Sequence, residues 1–194
     1  MYLRSVYMTV SSHSLRRRFI ATVGTGLVGT LTGCLDMLGA EPDDTDASPT
    51  TDDGEWRNAA LEDVRTGESF SIDEFDVPVF VHTFTVWCST CQRQHGEFGT
   101  LIEESTESFE VVELNIDPNE DADAVRSHAD THGFTWRFAV SPPAVTEALV
   151  ADFGSRITSP PQSPVILVCD DDAPHVLDKV RSAAELDAAL EEHC

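Results

Sequence analysis

Two cysteines with two residues between them, Cys88 and Cys91, stand where an apolar run gives way to a polar one, in Trp87-Cys88-Ser89-Thr90-Cys91. The eight residues before Trp87, Val79 to Val86, are rich in β-branched and aromatic types and read as a mostly buried strand. A helix-compatible stretch follows. Cys88 is thereby placed at a helix N-terminus, where unpaired backbone N–H groups and the helix dipole favour an anion and lower the thiol pKa. A thiolate there is a nucleophile near neutral pH. Cys91, one turn on, can reach the same sulfur and resolve a mixed disulfide formed at Cys88. The chemistry expected is dithiol/disulfide exchange, with Cys88 the exposed attacking thiol and Cys91 the covered resolving one.

Two other uses of the pair are possible from sequence: half of a four-ligand zinc site, or an inert structural bridge. A zinc site of this kind calls for a second CxxC or an HxxxH pair. The remaining cysteines, Cys34, Cys169 and Cys194, are not paired at that spacing.

The elements that must hold the pair are legible in outline. Leu61 to Ile72 reads as two short strands around a turn at Thr66-Gly67, followed by a helical turn near Asp73-Glu74-Phe75. After Cys91 the pattern Phe98, Leu101, Ile102 is helical to about Ser105. Phe109 to Asp117 reads as a strand ended by Pro118, and Glu120 to His132 as a helix stopped by Gly133. Trp136 to Val140 is a short strand, and Pro142 to Phe153 a helix closed by Gly154. Strands at Pro164–Cys169 and His175–Val180 flank the acidic turn Asp170-Asp171-Asp172, and Ser182 with Glu185 caps a last helix. Alternation early and an antiparallel pair plus helix late make an α/β sandwich with a mixed sheet.

The stretch from about Ala59 to His193 resembles a thioredoxin-like domain, a three-layer α/β/α sandwich, and within that fold the membrane-anchored extracytoplasmic thiol-disulfide reductases of the TlpA/ResA kind. Trp87-Cys88-x-x-Cys91 after a buried strand carries the resemblance, with the hairpin Leu61 to Ile72 and the helix Glu120–His132 as supporting matches. Ser163-Pro164 before Val165-Ile166-Leu167-Val168 is similar to the family's cis-proline facing the CxxC, with Pro160 and Pro161 as competitors. The resemblance implies Pro164 and Trp87 as site residues beside the cysteines and no cofactor. Two departures stand out. His82, six residues before Cys88, occupies the place of the family's buried carboxylate or amide, either as a proton acceptor for Cys91 or as an ordinary core histidine. Gln94 replaces a glutamate three residues after the second cysteine, while His95 and Glu97 read as a solvated face.

The same resemblance sets the geometry of the leftover cysteines. The strand from Pro164 runs away from the active-site end, and five strand steps and eleven helical steps each cover about 16.5 Å. Cys169 and Cys194 then finish at one end of the sheet and form a possible structural disulfide. The other reading makes Cys169 a small buried apolar residue and Cys194 a frayed thiol.

Charge divides the 194 residues. Residues 1–33 contain Arg4, Arg16, Arg17 and Arg18 and no acidic residue; the other eight basic residues face all 35 acidic ones, a formal charge of −27 from Cys34 onward. Leu15-Arg16-Arg17-Arg18-Phe19-Ile20 resembles a twin-arginine export signal. The apolar stretch Ile20–Gly33, at about 14 residues, is short for a ~20-residue membrane span and suits a signal-peptide core. It ends in Leu31-Thr32-Gly33-Cys34, which resembles a lipobox with Cys34 lipidated; an uncleaved anchor is the alternative. Residues 34–55 read as an acidic disordered linker and 56–194 as the folded domain. The expected location is the extracytoplasmic face of the membrane, with exported protein thiols or disulfides and a membrane redox partner as the partners and the domain a monomer. Acidic residues spread along the chain, with Lys179 the only lysine, suit a high-salt organism and repel nucleic acid.

Two further function classes remain open from sequence. Thr85-Val86-Trp87-Cys88 matches the TxxC of peroxiredoxins, with no arginine obviously placed beside the cysteine. A copper chaperone of the Sco type shares the fold and the tether, but spaces its cysteines CxxxC; His128, His132 and His175 are its candidate ligands here.

Overall fold

The computed structural model describes residues 54–170 and 173–194. The signal segment 1–33, Cys34 and nearly all of the linker lie outside the described residues. Helix α1 (Glu55–Asn58) opens the domain, followed by the hairpin β1 (Leu61–Glu62) and β2 (Ser69–Phe70) and a 3-10 turn at Ile72–Glu74. Then come β3 (Val79–Phe84), α2 (Ser89–Glu104), β4 (Glu110–Asn115), α3 (Ala122–His132), β5 (Arg137–Val140) and α4 (Pro143–Phe153). A 3-10 turn at Ser155–Thr158, β6 (Val165–Val168), β7 (His175–Leu177) and α5 (Ala183–His193) complete it.

The five-stranded sheet has the order β5-β4-β3-β6-β7. β3 is its centre, parallel to β4 and antiparallel to β6, while β4–β5 is parallel and β6–β7 antiparallel. All six residues of β3 are buried, which explains why it reads as a continuous apolar run instead of an alternating one. Its pleat sends Phe80 and Phe84 to the core shared with α2, α3 and α5, and Val79 and Val81 to the core shared with α1 and α4. The result is the three-layer thioredoxin-like α/β/α sandwich with a mixed sheet.

Several elements begin or end elsewhere than their sequence patterns suggest. Trp56 is buried, its indole N–H donates to Asp152 Oδ2 at 2.8 Å, and its ring meets Phe153 edge-on at 5.7 Å. Glu55 therefore begins a docked helix, not a linker end. β7 stops at Leu177, because only His175–Leu177 find partners on β6. Ile102 is 40% exposed, since the buried stripe of α2 runs Cys91, Gln94, His95, Phe98, Leu101.

Candidate active site

β3 ends at Phe84, and three residues carry the chain to Cys88, the N-cap of α2. The turn is held from both sides. Cys88 N–H donates to Thr85 O at 3.1 Å, and Val86 N–H donates to Glu120 Oε2 at 3.0 Å. The Trp87 indole N–H donates to Asp117 Oδ2 at 2.9 Å, which leaves Trp87 63% exposed beside the cysteines and lowers the Asp117 carboxyl pKa. Sequence reasoning did not single out Glu120 or Asp117; their signal lay only in their place just after β4.

Cys88 and Cys91 form a disulfide with Cα atoms 5.2 Å apart. Cys88 Sγ accepts the Cys91 backbone N–H at 3.2 Å, the helix-end contact that stabilises charge on this sulfur once the bond opens. The expectation of an exposed Cys88 is not met in this oxidised form: Cys88 is 2% exposed and Cys91 0%. Both the bond to Cys91 and the N-cap contact turn the Cys88 sulfur inward over the first turn of α2.

Cys91 Sγ has two polar neighbours from distant parts of the chain. Pro160 O lies 3.6 Å from it and Lys179 Nζ 3.2 Å. Lys179 Nζ also donates to Pro160 O at 2.6 Å and approaches Ser163 Oγ at 3.4 Å. Burial lowers the Lys179 ammonium from its ordinary range to about 8, opposed by the Glu113 charge. Lys179 was not read as a site residue from sequence, and Pro160 only as a competitor of Pro164 for the proline facing the CxxC.

Ser163–Pro164 is corrected. Among the described residues the cis peptide is Lys179–Val180, and Ser163–Pro164 is trans. A hydrogen-bonded turn, with Gln162 N–H and Ser163 N–H both donating to Ser159 O, delivers the chain into β6 in that form. The Ser163 hydroxyl ties this turn to β3 through Thr83 O at 2.9 Å. The backbone that reaches Cys91 is that of Pro160.

His82 is fully buried, and its register partner on β4 is Glu113. Its Nδ1 lies 2.7 Å from Glu113 Oε2, and His95 Nε2 approaches the same oxygen at 3.1 Å from α2. Burial drives the His82 pKa down to about 4 against the pull of Glu113. Burial opposes the Glu113 charge, yet the two imidazoles outweigh it and lower the carboxyl to about 2. The neutral His82 imidazole therefore pairs with a buried carboxylate at neutral pH, and the His95 ring stands beside the same oxygen. In this oxidised form His82 pairs with Glu113 and gives no hydrogen bond to either cysteine. His95 is corrected too: it lies four residues after Cys91 on the buried stripe and is 0% exposed, not on a solvated face. Glu97 caps α5 instead of facing solvent, accepting Ala183 N–H at 2.9 Å.

Could these groups hold a metal? His82, His95 and Glu113 are the one metal-type donor cluster among the described residues, and it contains neither cysteine. Its 2.7 and 3.1 Å separations are hydrogen-bond distances, and all three side chains are sealed from solvent. The chaperone candidates are dispersed: His128 and His132 pair at 4.9 Å on α3, whereas His175 stacks on His193 at 4.0 Å. Thr85 Oγ1 is buried without a partner, and no arginine donates to Cys88 among the described residues. A cleft of about 620 Å³ adjoins this loop through Asp117 and Glu120, but neither cysteine lines it.

At the opposite end, Cys169 and Cys194 are paired, with Cα atoms 5.5 Å apart and a sequence separation of 25. The pair ties the C-terminus of α5 to the end of β6.

The Redoxin family profile matches residues 46–184. No curated protein matches the chain. Among solved structures it is similar to a putative electron transfer protein of Aquifex aeolicus, at 16% identity over 70% of this chain and 92% of that one, TM-score 0.59. A secreted disulfide oxidoreductase of Mycobacterium tuberculosis, described as homologous to E. coli DsbE, is 14% identical over 71% and 97%, TM-score 0.55. StoA of Bacillus subtilis is 18% identical over 67% and 95%, TM-score 0.52. At these identities the structures speak for the fold, while the profile spans well over half the sequence. With its Cys88–Cys91 disulfide at the head of α2, the chain belongs to the Redoxin family as a thioredoxin-like thiol-disulfide oxidoreductase.

Proposed function

We propose that the chain is a membrane-tethered enzyme of the extracytoplasmic face that exchanges disulfides with exported proteins. The observation that carries the exchange reading is the Cys88–Cys91 bond at the N-terminus of α2, beside an indole that is 63% exposed. A substrate thiolate attacks Cys88 Sγ, Cys91 leaves with the bonding pair, and a second substrate thiolate displaces Cys88; the reverse sequence reduces a substrate disulfide. Exposed Trp87 offers apolar surface against which an extended substrate can rest.

Support for the location comes from Arg16-Arg17, the apolar stretch before Cys34, and the secreted M. tuberculosis protein of the same fold. Among the described residues no helix is long and apolar enough to cross a membrane; attachment in this reading is through a lipid on Cys34. The formal charge of −27 from Cys34 onward supports work in high salt, where repulsion is screened.

Replacing Cys91 with Ser in the full chain, expressed in an exporting host, tests the function. The expected result is exported proteins trapped on Cys88 as mixed disulfides in the membrane fraction. Faster alkylation of Cys91 than of Cys88 in the reduced wild-type protein would reverse the assigned roles.

A further inference from the structure

Every basic side chain of this sequence but one is arginine, and the exception is Lys179. An arginine stays charged throughout, while a lysine ammonium can release and recover a proton. Lys179 stands in the connection between β7 and α5, and that connection is pinned to α2. The Gln94 amide donates to Arg181 O at 3.1 Å and accepts Arg181 N–H at 2.8 Å, and Glu97 accepts Ala183 N–H. Gln94, a departure from the family pattern as a base, thus serves as the clamp that fixes the lysine's approach.

The ammonium has three donors, and Pro160 O, Ser163 Oγ and Cys91 Sγ occupy those directions. No carboxylate lies within ion-pair distance of Nζ among the described residues, so its charge is not spent on a salt bridge. The charged and titratable groups facing this position are Cys88 and Cys91 from α2, His82 from β3 and Glu113 from β4, the last two at longer range.

We propose that Lys179 is a catalytic residue whose Nζ stabilises the Cys91 thiolate and carries the proton that this sulfur loses and regains in each exchange. The inference rests on the exchange reading above. When a substrate thiolate attacks Cys88 Sγ, a Cys88–substrate S–S bond forms and the Cys88–Cys91 bond breaks. The bonding pair leaves on Cys91 Sγ, which takes a proton from the Lys179 ammonium. In the other direction the neutral amine takes the Cys91 proton, the thiolate attacks Cys88 Sγ, and the substrate leaves as a thiolate. The enzyme dithiol is then oxidised by two electrons and the substrate disulfide reduced by two. A preorganised cation at a developing charge in a site shielded from water lowers the barrier in both directions. Burial holds the amine near neutrality, with a pKa of about 8, so both of its protonation states are populated around the pH of work.

The test uses Lys179→Met and Lys179→Arg in two settings, each variant first shown to unfold cooperatively like the parent. In the Cys88→Ser background, thiolate absorbance follows Cys91 alone against pH. Lys179→Met is expected to raise its titration by roughly one pH unit or more, a tenfold loss of thiolate at fixed pH, and Lys179→Arg to leave it near the parent. With both cysteines present, the reduced protein reacts with an aromatic disulfide reagent, whose first released thiolate reports Cys88 and whose second reports resolution by Cys91. Lys179→Met should slow the second release about tenfold and leave the first unchanged. An unshifted Cys91 titration together with an unchanged second phase in Lys179→Met overturns the proposal. So does a shift in Lys179→Arg as large as that in Lys179→Met. If the wild-type protein fails to re-form the Cys88–Cys91 bond, the exchange reading fails instead, and the Cys91 titration still decides the lysine contact.

Discussion

Acid should destabilise this domain well above the pH at which its carboxylates protonate. His82 is 0% exposed and its pKa is lowered from 6.5 to about 4. A histidine with a depressed folded pKa makes the unfolded chain bind the proton first, so stability is full above 6.5 and is lost as pH falls towards 4. The gap between 6.5 and about 4 limits the loss to about 3 kcal/mol, of which roughly 2 kcal/mol falls between pH 7 and pH 5. Glu113, lowered from 4.5 to about 2, destabilises in acid as well, but only below about pH 4.5, outside that window. His128, also lowered to about 4, acts in the same window, so a variant is needed to isolate His82. His82→Gln keeps an amide donor for Glu113 and removes the titration. Urea unfolding at pH 7 and pH 5 in constant high salt should show the wild-type free energy falling by about 2 kcal/mol more than that of His82→Gln. Equal losses in the two proteins would show that His82 is not held neutral in the folded state.

Three other outcomes follow from particular contacts. Cys194→Ser should lower stability by about 2–4 kcal/mol under oxidising conditions and leave disulfide exchange intact, and Cys194 should resist alkylation until reductant is added. Phe84→Ala should cost about 3–5 kcal/mol in denaturant titration, because its ring is fully buried among His95, His128 and Phe138. Arg16→Lys with Arg17→Lys should block export, and replacement of Cys34 should release the protein from the membrane fraction; continued membrane association without Cys34 would favour an uncleaved anchor.

The fold and the reacting pair were readable because both write local signals: an apolar strand, a CxxC, and a helix start in one stretch from Val79 to Cys91. The surroundings of the pair were not. Lys179 and Cys91 are 88 residues apart, and their contact depends on the β6–β7 return and on Gln94 holding the next segment. Glu113 looked like one polar residue in a strand until the β3–β4 register set it opposite His82. His95 did carry a sequence signal, its four-residue spacing from Cys91, but a polar residue among polar neighbours hides a buried stripe. The trans bond at Pro164 and the approach of Pro160 in its place reflect a turn closed by Ser159 and Ser163, which proline position alone does not specify.

The central claim is reversible two-electron exchange at Cys88 and Cys91, and a redox titration of residues 54–194 against a dithiol/disulfide buffer, with metal content measured on the same sample, tests it most directly. One two-electron transition at metal-free composition is expected, abolished by Cys88→Ser or Cys91→Ser and unaffected by Cys194→Ser. A pair that stays oxidised across the whole range, or a reduced protein that retains stoichiometric metal on these cysteines, would contradict it.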